Sequence, residues 1–184
     1  MADEKKDAVV PADETRVPDT WFWIRDSKGY GSVTVTFVTV AFWVKSRPEL
    51  KCEQWILRTD EWHHARRYSG IDLRMHVTTQ HHHVGWGTGR GAGLKNRRSI
   101  DDGIEMAPNQ WLHIVYVMEE DRSFCCYENG CHVPTRLSGD ADKVGHTKAP
   151  CKIGKDFIGD LDEIGMWKRA LTPDEVKVLY RAGK

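Results

Sequence analysis

The run Asp160-Leu161-Asp162-Glu163 places two carboxylates at alternate positions. On a strand, alternate residues share a face, so Asp160 and Asp162 stand side by side. Retaining hydrolysis of a glycosidic bond needs two carboxyl groups about 5 Å apart. The next alternate residue is Ile164, so the acidic run stops at two. A second cluster is His81-His82-His83, with His76, His63 and His64 upstream. On a strand His81 and His83 share one face and His82 points to the other. Zinc needs three or four converging ligands. Two on a face fall short without His63 or His64, so the cluster is read as a polar strand end. Such a cluster makes surface binding depend on pH between about 5 and 7.

The third group is tryptophan. Trp21, Trp23, Trp43, Trp55, Trp62, Trp86, Trp111 and Trp167 are spread along the chain. Most are read as filling between two sheets. Trp62 and Trp86 have polar or glycine-rich neighbours and are read as stacking on a sugar ring or a partner. With His64, Arg67, His81, His83 and Arg90 they make the candidate ligand-binding set. His113, beside Trp111, is read as structural. Arg90, Lys95, Arg97 and Arg98 lie among glycines and are followed by Asp101, Asp102 and Glu105. That is a solvated loop rather than a phosphate cradle, which needs a glycine run leading into a helix with Lys.

Many short strands position these groups. Residues 1–19 carry dense charge with Pro11 and Pro18 and are expected to form a flexible arm. Residues 20–184 form one domain, long enough to bury a core. Trp21 to Arg25 is expected to be the first ordered element, followed by a turn from Asp26 to Gly31. Val33 to Lys45 alternates Val and Thr and reads as a long strand, bent or in two parts. Glu53 to Thr59 is a strand, and Asp60 to Ser69 a loop. Ile71, Leu73, Met75 and Val77 alternate with polar residues and point inward. His81 to Trp86 pairs with that strand. Gly85, Gly87, Gly89, Gly91 and Gly93 mark an irregular loop. Trp111 to Met118, Ser123 to Glu128 and Cys131 to Pro134 form hairpins, with Asn129-Gly130 as a two-residue turn. Lys152 to Gly154 and Ile158 to Lys168 close the sheets. Thr172, Pro173 and Glu175 then form a capping box with proline at the first helical position. Val176, Leu179 and Tyr180 give that helix one apolar face. The pattern predicts an all-β fold: a two-sheet antiparallel jelly-roll sandwich with a short C-terminal helix.

Three segments carry a family resemblance. Gly159-Asp160-Leu161-Asp162-Glu163-Ile164-Gly165-Met166-Trp167-Lys168-Arg169-Ala170-Leu171-Thr172 and the helix after it resemble the C-terminal signature of laminin-G-like domains of the concanavalin A-like lectin/glucanase superfamily. Trp111-Leu112-His113-Ile114, with Tyr127-Glu128-Asn129-Gly130, resembles that family's central hairpins, and Ala41-Phe42-Trp43-Val44-Lys45 one of its strands. The resemblance implies a lectin-like sandwich, and Asp162-Glu163 as a strand signature rather than a catalytic pair. The glucanase pattern E-x-D-x-E is absent, so no enzymatic activity is expected. Relatives often hold calcium at a sheet rim. Asp26, Asp160 and Asp162 are the candidate ligands, against a reading of Asp160 and Asp162 as solvated or paired with Arg169.

The composition sets outer bounds. Lys plus Arg and Asp plus Glu number 27 each, for a net charge of +0. That balance argues against nucleic acid as a partner. No signal peptide is read at the start, and no stretch reaches the roughly 20 apolar residues of a membrane span. A soluble protein with no membrane insertion is expected. Five Cys, namely Cys52, Cys125, Cys126, Cys131 and Cys151, read as reduced thiols. Cys125 and Cys131 flank the hairpin turn, and a bridge between them stays open. The expected function is a lectin-like module binding a glycan, carried on a larger assembly such as a virion surface, as a decoration or attachment protein docked through its arm. A purely structural protein–protein subunit is the alternative, and a glycoside hydrolase is disfavoured.

Overall fold

The computed structural model describes residues 39–47, 54–59, 69–75, 81–88, 94–119, 124–141, 151–154 and 157–183. The charged arm, the Trp21 to Gly31 segment and the Asp60 to Tyr68 loop lie outside them. The strands are β1 (Thr39–Ser46), β2 (Gln54–Arg58), β3 (Ser69–Met75), β4 (His81–Thr88), β5 (Arg97–Glu105), β6 (Trp111–Met118), β7 (Phe124–Glu128), β8 (Cys131–Val133), β9 (Arg136–Ser138), β10 (Lys152–Ile153) and β11 (Gly159–Trp167). They form two antiparallel sheets, one of order β11-β1-β6-β7-β8 and the other β10-β2-β3-β4-β5-β9. One helix, α1 (Pro173–Ala182), follows. This is the expected jelly-roll sandwich.

The inner faces meet in one apolar core. Val40, Phe42 and Val44 of β1 and Ile114 and Tyr116 of β6 face Ile71, Leu73 and Met75 of β3, and Val84 and Trp86 of β4. A second, smaller cluster lies on the outer face of the five-stranded sheet. There Ala41, Val115, Val117, Tyr127 and Trp167 are covered by Leu171 and by Val176 of α1.

Two local devices hold the last third of the chain. Asn129 and Gly130 take φ of 50° and 79°, the left-handed geometry a tight β7–β8 hairpin requires. In β11, Trp43 pairs with Asp162 but Ala41 pairs with Gly165, so a bulge lies between. Glu163, inside it, has φ of 48°. The extra residue lets Leu161, Ile164 and Met166 all pack on the main core despite their uneven spacing. Ile164 therefore does not share the Asp160–Asp162 face.

Two expectations need correction. Gly85 and Gly87 are strand residues of β4, not loop markers, and residues 97–105 form β5. A Cβ at Gly85 would stand 3.0 Å from both Asp72 Oδ1 and His83 Cε1, so the strand needs a residue without a side chain there. The Cys question also closes. Cys125, Cys126, Cys131 and Cys151 are free. By register Cys131 shares the face of Glu128 and Cys125 that of Tyr127, so the two lie on opposite sides of the sheet.

Candidate functional site

Trp86 is not a surface residue. It pairs with Ile71 on the inner face of the six-stranded sheet, 1% exposed, and cannot stack on a ligand. His83 is 4% exposed on the opposite face, where its Nδ1 is 3.9 Å from the Asp72 carboxylate and Arg74 is 3.7 Å from the same oxygen. It too is withdrawn from solvent. His81 is half-buried at the start of β4. Trp62, His64, Arg67 and Arg90 lie outside the described residues.

The alternation of the histidines is as expected, but the middle one carries the interaction. His82 points between the sheets and reaches Tyr116 of β6 and Glu128 of β7. Its Nε2 is 2.6 Å from Glu128 Oε1. With the carboxylate ionised, Nε2–H donates to Glu128 and Nδ1 accepts from the Tyr116 hydroxyl. Apolar spacing gave no sign of this contact.

The strand register arranges the outer face of the five-stranded sheet in rows. Two rows, Trp167–Thr39–Val117–Cys125 and Gly165–Ala41–Val115–Tyr127, belong to the cluster under α1. The next row is Asp162–Trp43–His113, which Tyr180 of α1 partly covers. The row beyond is Asp160–Lys45–Trp111, past the reach of the helix. Trp111 is 42% exposed, and no other described tryptophan is exposed to that degree. Lys45 Nζ stands 4.9 Å from the centre of its ring and 2.8 Å from Asp160 Oδ2. Arg47, half exposed, lies 3.4 Å from the same oxygen. The hydrogen bond from Lys45 holds the Asp160 carboxyl below the usual carboxylate range. Trp111 was read only as part of a structural hairpin. The signal that could have found it is its place at the very start of its strand, beyond the helix's cover.

In the covered row the ring centres of Trp43 and His113 are 5.0 Å apart, and those of Trp43 and Tyr180 are 5.7 Å apart. His113 is 3% exposed, and burial lowers its pKa to about 4, so the ring is neutral at ordinary pH. Among the described residues, neither His113 Nδ1 nor Trp43 Nε1 has a hydrogen-bond partner. Gly183, at the end of α1, abuts the indole edge: a Cβ there would lie 2.4 Å from Trp43 Nε1 and 2.6 Å from Glu163 Oε2.

Calcium takes six to eight oxygens. Asp160 is committed to Lys45 and Arg47 rather than Arg169, which pairs with Glu175 at 2.6 Å. Asp162 Oδ1 accepts from the Glu163 N–H. No three acidic, His or Cys side chains gather for a metal among the described residues. Asp160 and Asp162 thus have these partners, and Asp26 lies outside the described residues. Among the described residues no helix is long and apolar enough to cross a membrane.

Residues 21–177 match the family model of the concanavalin A-like lectin/glucanases superfamily. No curated protein matches the sequence. Similar solved structures include the receptor binding domain of botulinum neurotoxin D, at TM-score 0.61 and 13% identity, over 87% of this chain and 40% of that one. The binding domain of Paraclostridial Mosquitocidal Protein 1 gives 0.60 and 17%, over 79% and 37%. The botulinum neurotoxin type G receptor binding domain gives 0.57 and 14%, over 79% and 38%. The chain spans about two fifths of the length of these structures, and at such identities the likeness is one of fold.

Proposed function

The chain belongs to the concanavalin A-like lectin/glucanase superfamily, and from that premise we propose that it is a non-catalytic, lectin-like module that binds a glycan on Trp111. The observation that carries this reading is an exposed indole at the start of β6, with Lys45 over its ring and Asp160 and Arg47 beyond Lys45. An aromatic face takes the apolar C–H side of a pyranose ring. Charged groups along one side of the indole supply hydrogen bonds to its hydroxyls, and charge-assisted bonds are the stronger kind. Binding sites of this sort combine an apolar surface with a few placed polar groups. Receptor-binding domains of toxins share the fold, which supports a binding role.

Nothing in the row performs acid–base hydrolysis on this reading, because Asp160 is tied to two cations. Trp62, His64, Arg67 and Arg90 stay in the proposal as ligand contacts read from the sequence. Carriage on a larger assembly, a virion among them, is the finer part of the proposal and rests on the charged arm.

A glycan array probed with the full chain tests the proposal. Reproducible binding to one sugar class is expected, and its loss on adding a chelator would place calcium, through Asp26, Asp160 and Asp162, in the site. A blank array from folded protein overturns the glycan reading and favours a protein partner, for which an exposed Trp beside Arg is also apt.

A further inference from the structure

We propose that the ligand of the Trp111 face is an acidic glycan, a pyranoside carrying a carboxylate or a sulfate, and that Arg47 pairs with its anion. The inference rests on the reading of Trp111 as the sugar contact and adds the class of sugar. Lys45 and Trp111 are cross-strand partners on the outer face of the five-stranded sheet, and Asp160 faces Lys45 from the other neighbouring strand. Arg47 comes two residues after Lys45, past the end of β1, and its guanidinium reaches the same carboxylate. Both contact groups are within reach of a ligand: the Arg47 side chain is 50% exposed and Trp111 is 42% exposed.

Charge at the row favours an anion. Lys45 Nζ is 2.8 Å and Arg47 Nη2 3.4 Å from one oxygen of Asp160. Lys45 makes the close contact, and the longer one uses a single nitrogen of the Arg47 fork, which has five N–H donors. Two cations against one carboxylate leave one positive charge over. Asp162, the next carboxylate of β11, pairs with Trp43 one row back, on the side away from Arg47. The ring argues the same way. Lys45 Nζ lies 4.9 Å from the centre of the indole, over the face on which a sugar stacks. A neutral pyranose that takes this place pushes the ammonium off the ring and forfeits that attraction. An acidic one offers the ammonium and the guanidinium an anion as it covers the ring. The planar guanidinium matches carboxylate geometry, and charge-assisted bonds are the stronger kind.

The test follows the indole N–H of Trp111 by nitrogen NMR in the full chain. The probes are methyl glucoside, methyl glucuronide and methyl glucoside sulfated on its exocyclic hydroxyl, with the matching galactosides. A saturable shift is expected at about fivefold lower concentration for an acidic glycoside than for its neutral parent. Most of that preference should vanish at about 0.5 M salt. Arg47→Gln should bring it below about twofold, and Arg47→Lys, which keeps the charge, should restore part of it. The uronide and sulfate arms tell a carboxylate ligand from a sulfated one. Equal affinity for acidic and neutral glycosides, with Trp111 shifting in both, overturns the acidic class and leaves the Trp111 reading intact. A preference that survives Arg47→Gln overturns the role of Arg47. No shift of Trp111 with any glycoside overturns the Trp111 reading as well.

Discussion

Burying neutral His113 beneath Tyr180 ties the stability of the sandwich to pH. The free imidazole titrates near 6.5 and the buried one at about 4. Between those values the unfolded chain binds the extra proton, so stability is full above about 6.5 and falls as pH drops toward 4. The full difference amounts to at most about 3 kcal/mol. Urea midpoints measured across that range should fall with acid in the wild type and fall less in His113→Phe; parallel curves would show that His113 is not the source. The two tryptophans make the complementary case. Trp86→Ala should cost about 3–5 kcal/mol by opening a cavity in the main core, whereas Trp111→Ala should change stability by less than about 0.5 kcal/mol. Residue type in the sequence did not separate them. Polar and glycine neighbours pointed to Trp86, yet Gly85 and Gly87 are strand positions, and Gly85 leaves room for Asp72 and His83. Trp111 opens an apolar strand and reads there as core, yet the end of the helix leaves it uncovered.

At the level of elements, α1 was the most legible part of the chain. Thr172, Pro173 and Glu175 give the capping box from local sequence alone, and both of its hydrogen bonds are present. Arg169 adds two bonds to Glu175, at 2.6 and 2.8 Å, and holds the carboxyl down at a pKa of about 2. Thr172→Ala should cost about 1 kcal/mol, read as a lower thermal midpoint; an unchanged midpoint would mean that tertiary packing alone holds the helix. The Glu175 contribution is present above pH 4.5 and lost as pH falls toward 2, a window below that of His113. β5 was not legible, because Arg97, Arg98, Asp101, Asp102 and Gly103 hide any apolar alternation. The β11 bulge left a trace in the uneven spacing of Leu161, Ile164 and Met166. Glu163 sits in the left-handed region, which costs a side-chain-bearing residue roughly 1–2 kcal/mol. Glu163→Gly should therefore be tolerated and Glu163→Val should destabilise.

Across the whole molecule, His82 joins the two sheets through Tyr116 and Glu128, residues 34 and 46 positions away. Contacts that distant leave no periodic mark, so the sandwich was legible from its strands and turns while this join was not. His82→Leu would leave the nearly buried Glu128 carboxylate without its imidazole partner, at an expected cost of about 3–5 kcal/mol. A shift in urea midpoint with unchanged slope would report that loss; a stability equal to wild type would make the join incidental. The two sheet faces also divide the labour. On the outer face of the five-stranded sheet α1 covers Ala41, Val115, Val117, Tyr127 and Trp167 but not the row that ends in Trp111, and that row is the proposed meeting point with a ligand. The most direct test is the affinity of wild type and Trp111→Ala for the same array-selected glycan, with both proteins shown to be folded. A loss of at least about fivefold, roughly 1 kcal/mol, is expected if the indole is the sugar contact. Equal affinity would contradict it.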